Sequence, residues 1–329
     1  MTTGTTTIFL ACLPVALFAQ TTGSAASEVE TLKVQGNVYL ITGAGGNMAV
    51  QLGDQGVLVV DTGVASMSSK VLAAIRKLSD KPIQYVINTH VHADHTGGND
   101  AIRKAGLTYV GANVTGNLTD AGVGAQIYAQ DNVLKRMSAP TGVQASVPFG
   151  AWPTETFLSG RKQLFFNGEP VEIIHQPAAH TDGDSLVVFR RSDVVVTGDV
   201  FVTTSFPFID LERGGSIQGE VDALNAIMEI AVPGLQDEGG TYIIPGHGHI
   251  CDQPDLLEYR DMVTIIRDRV QAAIKKGMTL EQVKAAGLTK DYDGRYGLKA
   301  ALISGPNVVQ SDSSASFVEA IYKGLAPKK

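Results

Sequence analysis

Ile83-Gln84-Tyr85-Val86-Ile87-Asn88-Thr89-His90-Val91-His92-Ala93-Asp94-His95 (IQYVINTHVHADH, residues 83–95) is the most informative stretch of the chain. Its first five residues are an apolar, β-prone run of strand length. That strand runs directly into three histidines and an aspartate within six positions. In extended chain, side chains at i and i+2 point the same way, so His90, His92 and Asp94 share a face. Imidazoles converging there meet a zinc ion at about 2.0–2.1 Å. His95 faces elsewhere and serves a second ion nearby. The spacing differs from H-E-x-x-H, which relies on one helical turn.

Outward from this segment, short apolar runs alternate with helical periods. Asn37–Thr42, Met48–Leu52 and Val57–Val60 read as strands, and Gly53-Asp54-Gln55-Gly56 joins the last two as a hairpin. A helix is predicted over Ser68–Leu78, with Val71, Ala74, Ile75 and Leu78 on one face, and another over Gly98–Ala105. Gln126–Met137 reads as a helix. Leu164–Phe166 and Val171–Ile174 form a hairpin about Asn167-Gly168. Ser185–Phe189, Val194–Val196 and Tyr242–Ile244 are strands; Ser216–Ile230, Pro254–Lys275 and Ser314–Leu325 are helices. This order predicts a layered α/β fold in one domain over residues 27–329, closed by C-terminal helices. Further metal-binding residue types follow apolar strands: His180 in AAHTDGD, Asp199 after VVVTG, and His247 after TYIIPG. Strand ends are where α/β sheets present a site.

Composition narrows the class. Hydrophobic residues make up 44% and charged residues 18%, ordinary for a globular chain. The net charge of −7, without a long basic run, argues against nucleic acid as a partner. The 36 glycines exceed the roughly 23 that ~7% usage would give, so many loops must turn tightly or pass close to something. Ile8–Ala19 is an apolar run of twelve, too short to span a bilayer comfortably. Residues 1–26 therefore read as an export signal, although its leader MTTGTTT lacks a basic residue. The expected location is periplasmic or secreted, with no membrane span in the mature form. Cys12 lies inside the apolar run, and its removal leaves Cys251 without a disulfide partner. Asn113 and Asn117 begin glycosylation-type triplets, a weak signal.

HVHADH, His180, the TGD ending at Asp199 and the PGH ending at His247 together resemble the motif set of the metallo-β-lactamase superfamily, and Asp61 in VLVVDTG matches its early aspartate. The resemblance covers about residues 35–250 and implies an αββα four-layer sandwich with metals at one edge of the two sheets. It implies that His90, His92 and His180 hold a first zinc, that Asp94, His95 and His247 hold a second, and that Asp199 bridges them. Asp61 would orient the ligand loop. The implied enzyme is a di-zinc hydrolase that cleaves a lactone, thioester or ester of a small carbonyl substrate through a metal-bridging hydroxide. Asp94 would steer the nucleophile or relay a proton. Bridging Asp199 resembles the glyoxalase II, lactonase and sulfatase branches; the tyrosine that acyl-homoserine lactonases carry shortly after it is absent here. The alternatives are β-lactamase activity, a mono-iron sulfur-oxidising enzyme, or a binding protein on the same fold. Phe206 and Phe208 are candidates for an apolar substrate wall or for core packing, as is Trp152 more weakly. His175 is expected to support the core, and His249 to be a loop residue.

Overall fold

A computed structural model describes residue 1 and residues 28–107, 124–139, 147–235, 239–297, 300–304, 307–311 and 313–327. The expected leader apart from residue 1, Cys12, and the triplets at Asn113 and Asn117 lie outside the described residues. Two large sheets are present among those described. The first runs in order β1 Glu30–Gln35, β2 Val38–Thr42, β3 Met48–Gly53, β4 Gly56–Val60, β5 Ile83–Ile87, β6 Gln126–Gln130 and β7 Glu155–Phe157. Its β1–β4 part is antiparallel, and β4 through β7 pair in parallel. The second contains β8 Arg161–Phe166, β9 Glu169–Gln176, β10 Asp184–Phe189, β11 Val194–Val196 and β12 Tyr242–Ile244, with β12 and β8 at its edges.

Side-chain alternation builds the layers. Leu58 and Val60 of β4 point inward with Val187 and Phe189 of β10, Val194 and Val196 of β11, and Ile244 of β12, forming the core between the sheets. Their neighbours point outward. Val57 and Val59 meet the helix Ser68–Leu78 through Val71, Ala74 and Ile75. Leu186, Val188, Val195 and Ile243 meet the helices Ile217–Ile230, Gln253–Lys275 and Ser313–Leu325. The result is helices, sheet, sheet, helices, as the sequence implied. The C-terminal helix shares this outer core through Phe317 and Ile321.

The hairpin turns of the two sheets clasp at the end of β4 remote from Asp61. Gln51 Nε2 donates to Glu169 Oε1 at 2.7 Å, and the Asn167 and Gln55 side chains accept from each other's backbone N–H. At the opposite end, Asp61 follows β4, Thr89 and His90 follow β5, and Asp199 and His247 follow β11 and β12. One predicted element is corrected. Residues Gln126–Gln130 are a central strand, not helix, because parallel pairing with β5 and β7 claims their backbone. The helix starts at Asp131, capped by the Gln130 side chain accepting from Asn132 N–H.

Helix Ile217–Ile230 carries a buried acid, Glu220, with neither carboxyl oxygen hydrogen bonded. Burial raises its pKa well above the usual carboxylate range, and Asp184 and Asp199 add to that. The folded chain therefore keeps a proton that the unfolded chain sheds above about 4.5, so this group costs stability as pH rises from there toward its folded-state value. Glu220→Gln should match the wild type below that pH and grow relatively more stable above it. The gain should accrue at about 1.4 kcal/mol per pH unit until the folded-state pKa is reached. Denaturant unfolding at a series of pH values measures it; parallel curves for the two proteins would refute the account.

Candidate metal centre

After β5 the chain bends through Thr89–Val91 and past His92 turns into a short helix, Ala93–Thr96, whose N–H groups at His95 and Thr96 bond to the His92 carbonyl. This turn corrects the shared face expected for His90, His92 and Asp94. Asp94 swings away and joins His95 and His247, while His90 and His92 join His180 and Asp199. Within each set the potential ligand atoms lie within 4.8 Å of one another. All seven residues singled out in the sequence thus fall in two adjoining groups.

The hydrogen bonds behind the rings orient them. Asp61, at φ 61° just past β4, accepts from Thr89 N–H at 2.8 Å and from Thr89 Oγ1 at 2.6 Å. The Thr89 hydroxyl proton is thereby spent, so His90 Nδ1–H donates to Thr89 Oγ1 (3.0 Å). His95 Nδ1–H donates to Asp61 Oδ2 at 2.8 Å. His92 Nε2–H donates to Asp210 Oδ2 at 2.9 Å, and His180 Nδ1–H donates to the Phe208 carbonyl. Each outward N–H is satisfied, which fixes the tautomer and turns a lone pair inward. His92 Nδ1 and His180 Nε2 lie 2.9 Å apart. Their other nitrogens point to the outward acceptors, so two ring nitrogens face each other here, an arrangement that suits a shared cation.

Three buried atoms sharpen this test. His90 Nε2, His95 Nε2 and Asp199 Oδ1 have no hydrogen-bond partner, although His95 Nε2 and Asp199 Oδ1 are 3.0 Å apart. Proximity without donor geometry is what two ligands of one ion display. The residues fit divalent metal.

Asp199 sits between the groups. Its Oδ2 is 3.9 Å from His90 Nε2 and 3.8 Å from His180 Nε2, and its Oδ1 is 3.0 Å from His95 Nε2 and 3.5 Å from His247 Nε2. Asp94 Oδ2 lies 3.1 Å from His247 Nε2. Burial opposes ionisation of Asp199 and Asp94, but His95 and His247 more than offset it and hold both acids below their usual range. Burial also opposes charge on His247, yet Asp199 and Asp94 lift it to about 9. In the other group burial dominates, with help from His92, and pushes His180 down to about 4. The sets thus differ: one favours neutral imidazoles, the other balances charge against two carboxylates.

Two glycines let the loops close in. A methyl group at Gly46 would overlap the His95 ring, and one at Gly246 would overlap Asp199 Oδ1. Sequence reading missed Asp210 and Asp184. Asp210 lies 118 positions from the ring it holds and is itself bound by Arg213. Asp184 accepts from Thr181 N–H and Oγ1, which shapes the loop carrying His180. The phenylalanines divide. Phe206 is core, packed on Tyr296 and Phe317, whereas Phe208 is 39% exposed with its ring beside His92 and His180. Trp152 packs on Phe149 and bonds to the Val147 carbonyl. His175 bonds to the Asp182 carbonyl, steadying the same turn as Asp184, and His249 is an exposed loop residue.

The sequence profile of the metallo-β-lactamase superfamily matches residues 32–231. A linear primary-alkylsulfatase of Pseudomonas sp. is 25% identical over 256 residues, covering 70% of this chain and 47% of its own length. A probable metallo-hydrolase of Methanocaldococcus jannaschii is 24% identical over 64% of this chain and 91% of its own. Among solved structures, the inverting sec-alkylsulfatase Pisa1 from Pseudomonas sp. superposes with a TM-score of 0.59 at 16% identity, over 90% of this chain and 50% of its own. The DIM-1 metallo-β-lactamase gives 0.53 at 18% identity, over 72% and 97%. The chain spans about half the length of the alkylsulfatases it matches.

Two substitutions test the geometry. Asp210→Asn should weaken zinc binding by about 10–100-fold, the usual cost of losing a carboxylate behind a metal-bound histidine; an unchanged affinity in a chelator competition would refute its role. Gly246→Ala should displace Asp199 and lower the bound metal per chain, read by elemental analysis. Full loading in that variant would show that the loop yields easily.

Proposed function

The chain belongs to the metallo-β-lactamase superfamily, whose matched relatives include metallo-hydrolases, and from that premise we propose that it is a dinuclear zinc hydrolase of small-molecule carboxylic esters, lactones or thioesters. One observation carries the proposal: a single partly buried carboxylate, Asp199, turns each of its oxygens toward a different histidine group. In this reading His90, His92 and His180 hold one ion, Asp94, His95 and His247 hold the other, and Asp199 bridges. Two divalent ions so held supply Lewis-acid polarisation and water activation near neutral pH.

The chain's own groups do the rest. Asp94 and Asp199 offset only part of the four positive charges of such a pair, which leaves a field that favours an anionic transition state. Asp94, held ionised beside His247 Nε2, is placed to steer the attacking group or carry its proton. Phe208 offers an apolar face for the substrate beside His92 and His180. The apolar leader supports action in the periplasm or outside the cell.

A second reading, hydrolysis of alkyl sulfate esters, is favoured by the likeness to the Pseudomonas alkylsulfatase. Against it, Arg213 and Arg136, which bond to the loop that carries His180, are already committed, Arg213 to Asp210 and Arg136 to Asp182. An anionic sulfate would therefore compete with those pairs for either guanidinium.

Metal analysis with a substrate panel decides between these. The expected result is about two zinc per chain, with turnover of ester, lactone or thioester that chelation abolishes and added zinc restores. One iron per chain would overturn the dinuclear assignment. Turnover confined to an alkyl sulfate or a β-lactam would replace the substrate class. Asp94→Asn should bind the second metal equivalent more weakly and lose most turnover even when excess zinc restores full loading; full loading with full turnover would remove Asp94 from the chemistry.

A further inference from the structure

Beyond the loop that carries His247 lies another group of metal-binding side chains that the proposed reaction does not use. His249, Cys251 and Asp255 bring one nitrogen, one sulfur and one carboxylate oxygen within 4.8 Å of one another. None of the three belongs to either histidine group around Asp199. Their backbone is firmly held. Cys251 exchanges both hydrogen bonds with Ile243, at 2.8 Å each, which anchors it to the edge of the second sheet. Asp252 and Asp255 then form a capping box that starts the 23-residue helix Gln253–Lys275. His249 is tied from the other side, where its N–H and Nδ1 each lie 3.3 Å from Thr203 Oγ1.

We propose that His249, Cys251 and Asp255 form a third metal site, separate from the hydrolytic centre, that takes a soft or borderline divalent cation such as zinc, cobalt or cadmium. The donor set of thiolate, imidazole and carboxylate selects such ions over magnesium or calcium. Three protein ligands leave a further position open to solvent on the exposed His249 side. Cys251 is buried and has no disulfide, and its thiol contacts both other members of the set, the His249 carbonyl at 3.3 Å and the Asp255 carboxylate. On binding, the Cys251 S–H bond breaks, a sulfur–metal bond forms, and the proton passes to solvent. Asp252 contributes a second carboxylate to the local field, while Arg295, which also faces Cys251, is paired with Glu258. An occupied site would join the His247 loop to the start of the long helix.

Cobalt reports on this site selectively, because neither group around Asp199 contains sulfur. Chelator-stripped full-length protein should develop a thiolate-to-cobalt charge-transfer band as cobalt is added. The band should persist in Cys12→Ser and vanish in Cys251→Ser. His249→Ala, a change at an exposed position that leaves the core intact, should also lose the band and bind one equivalent fewer in equilibrium dialysis. Absence of the band from the wild type at saturating cobalt would overturn the proposal. So would a band, or a full metal equivalent, that survives His249→Ala, or a band that follows Cys12 instead of Cys251.

Discussion

Inward-facing lone pairs and ionised carboxylates repel when they are crowded together out of water, unless a cation lies among them. At the edge of the two sheets the chain crowds them nonetheless. His92 Nδ1 and His180 Nε2 approach to 2.9 Å while their other nitrogens are already bonded outward. His95 Nε2 stands 3.0 Å from Asp199 Oδ1 without a hydrogen bond between them. A metal resolves this conflict, and without one the protons on His95 and His247 do so only in part. The loops, glycines and supporting acids around the site are arranged to hold that otherwise unfavourable cluster in place.

Rigidity comes from the sheets. The seven site residues follow the ends of β5, β9, β11 and β12, strands whose side chains are buried in the core between the sheets and on the helix-covered outer faces. A strand end so packed has little freedom to drift, so His90, Asp199 and His247, each three residues beyond one, keep their aim. Asp61 adds a local constraint. A non-glycine residue at φ 61° is sparsely populated, and three hydrogen-bonding groups converge on it: Thr89 N–H, Thr89 Oγ1 and His95 Nδ1–H. Through them one carboxylate sets the orientation of a histidine in each group.

Charge is distributed unevenly across the centre. In the first group burial holds His90 and His180 below the ordinary histidine range, Asp199 faces the rings, and Asp210 stands behind His92, balanced by Arg213. The other group has Asp94 and Asp199 facing it directly. An ion in the first set would therefore keep more of its charge for polarising a substrate, and one in the second would be more strongly neutralised. Phe208, whose carbonyl fixes His180 while its ring remains half open to solvent, links the first set to the substrate side.

Much of this was legible in the sequence because it depends on local order. Short apolar runs of strand length marked most strands, the turn at Asn167-Gly168 marked a hairpin, and the resemblance carried by HVHADH, His180, TGD and PGH identified all seven residues that gather at the site. Local pattern misled where backbone pairing decided. Gln126–Gln130 is compatible with a helix until β5 and β7 claim its hydrogen bonds. Asp94 would face with His90 and His92 until the chain coils at Ala93. Asp210 and the division between buried Phe206 and open Phe208 left no signal, since each is defined by partners far away along the chain, whereas Asp184 bonds only three residues back, to Thr181, a local spacing that went unread. The sequence by itself determined which donor atoms exist and that they follow strands, because side-chain chemistry and short-range periodicity are properties of neighbouring residues. Tertiary structure alone decided which nitrogen of each ring faces inward and which acid stands behind it, because a hydrogen bond across 118 positions forms only after the sheets have packed.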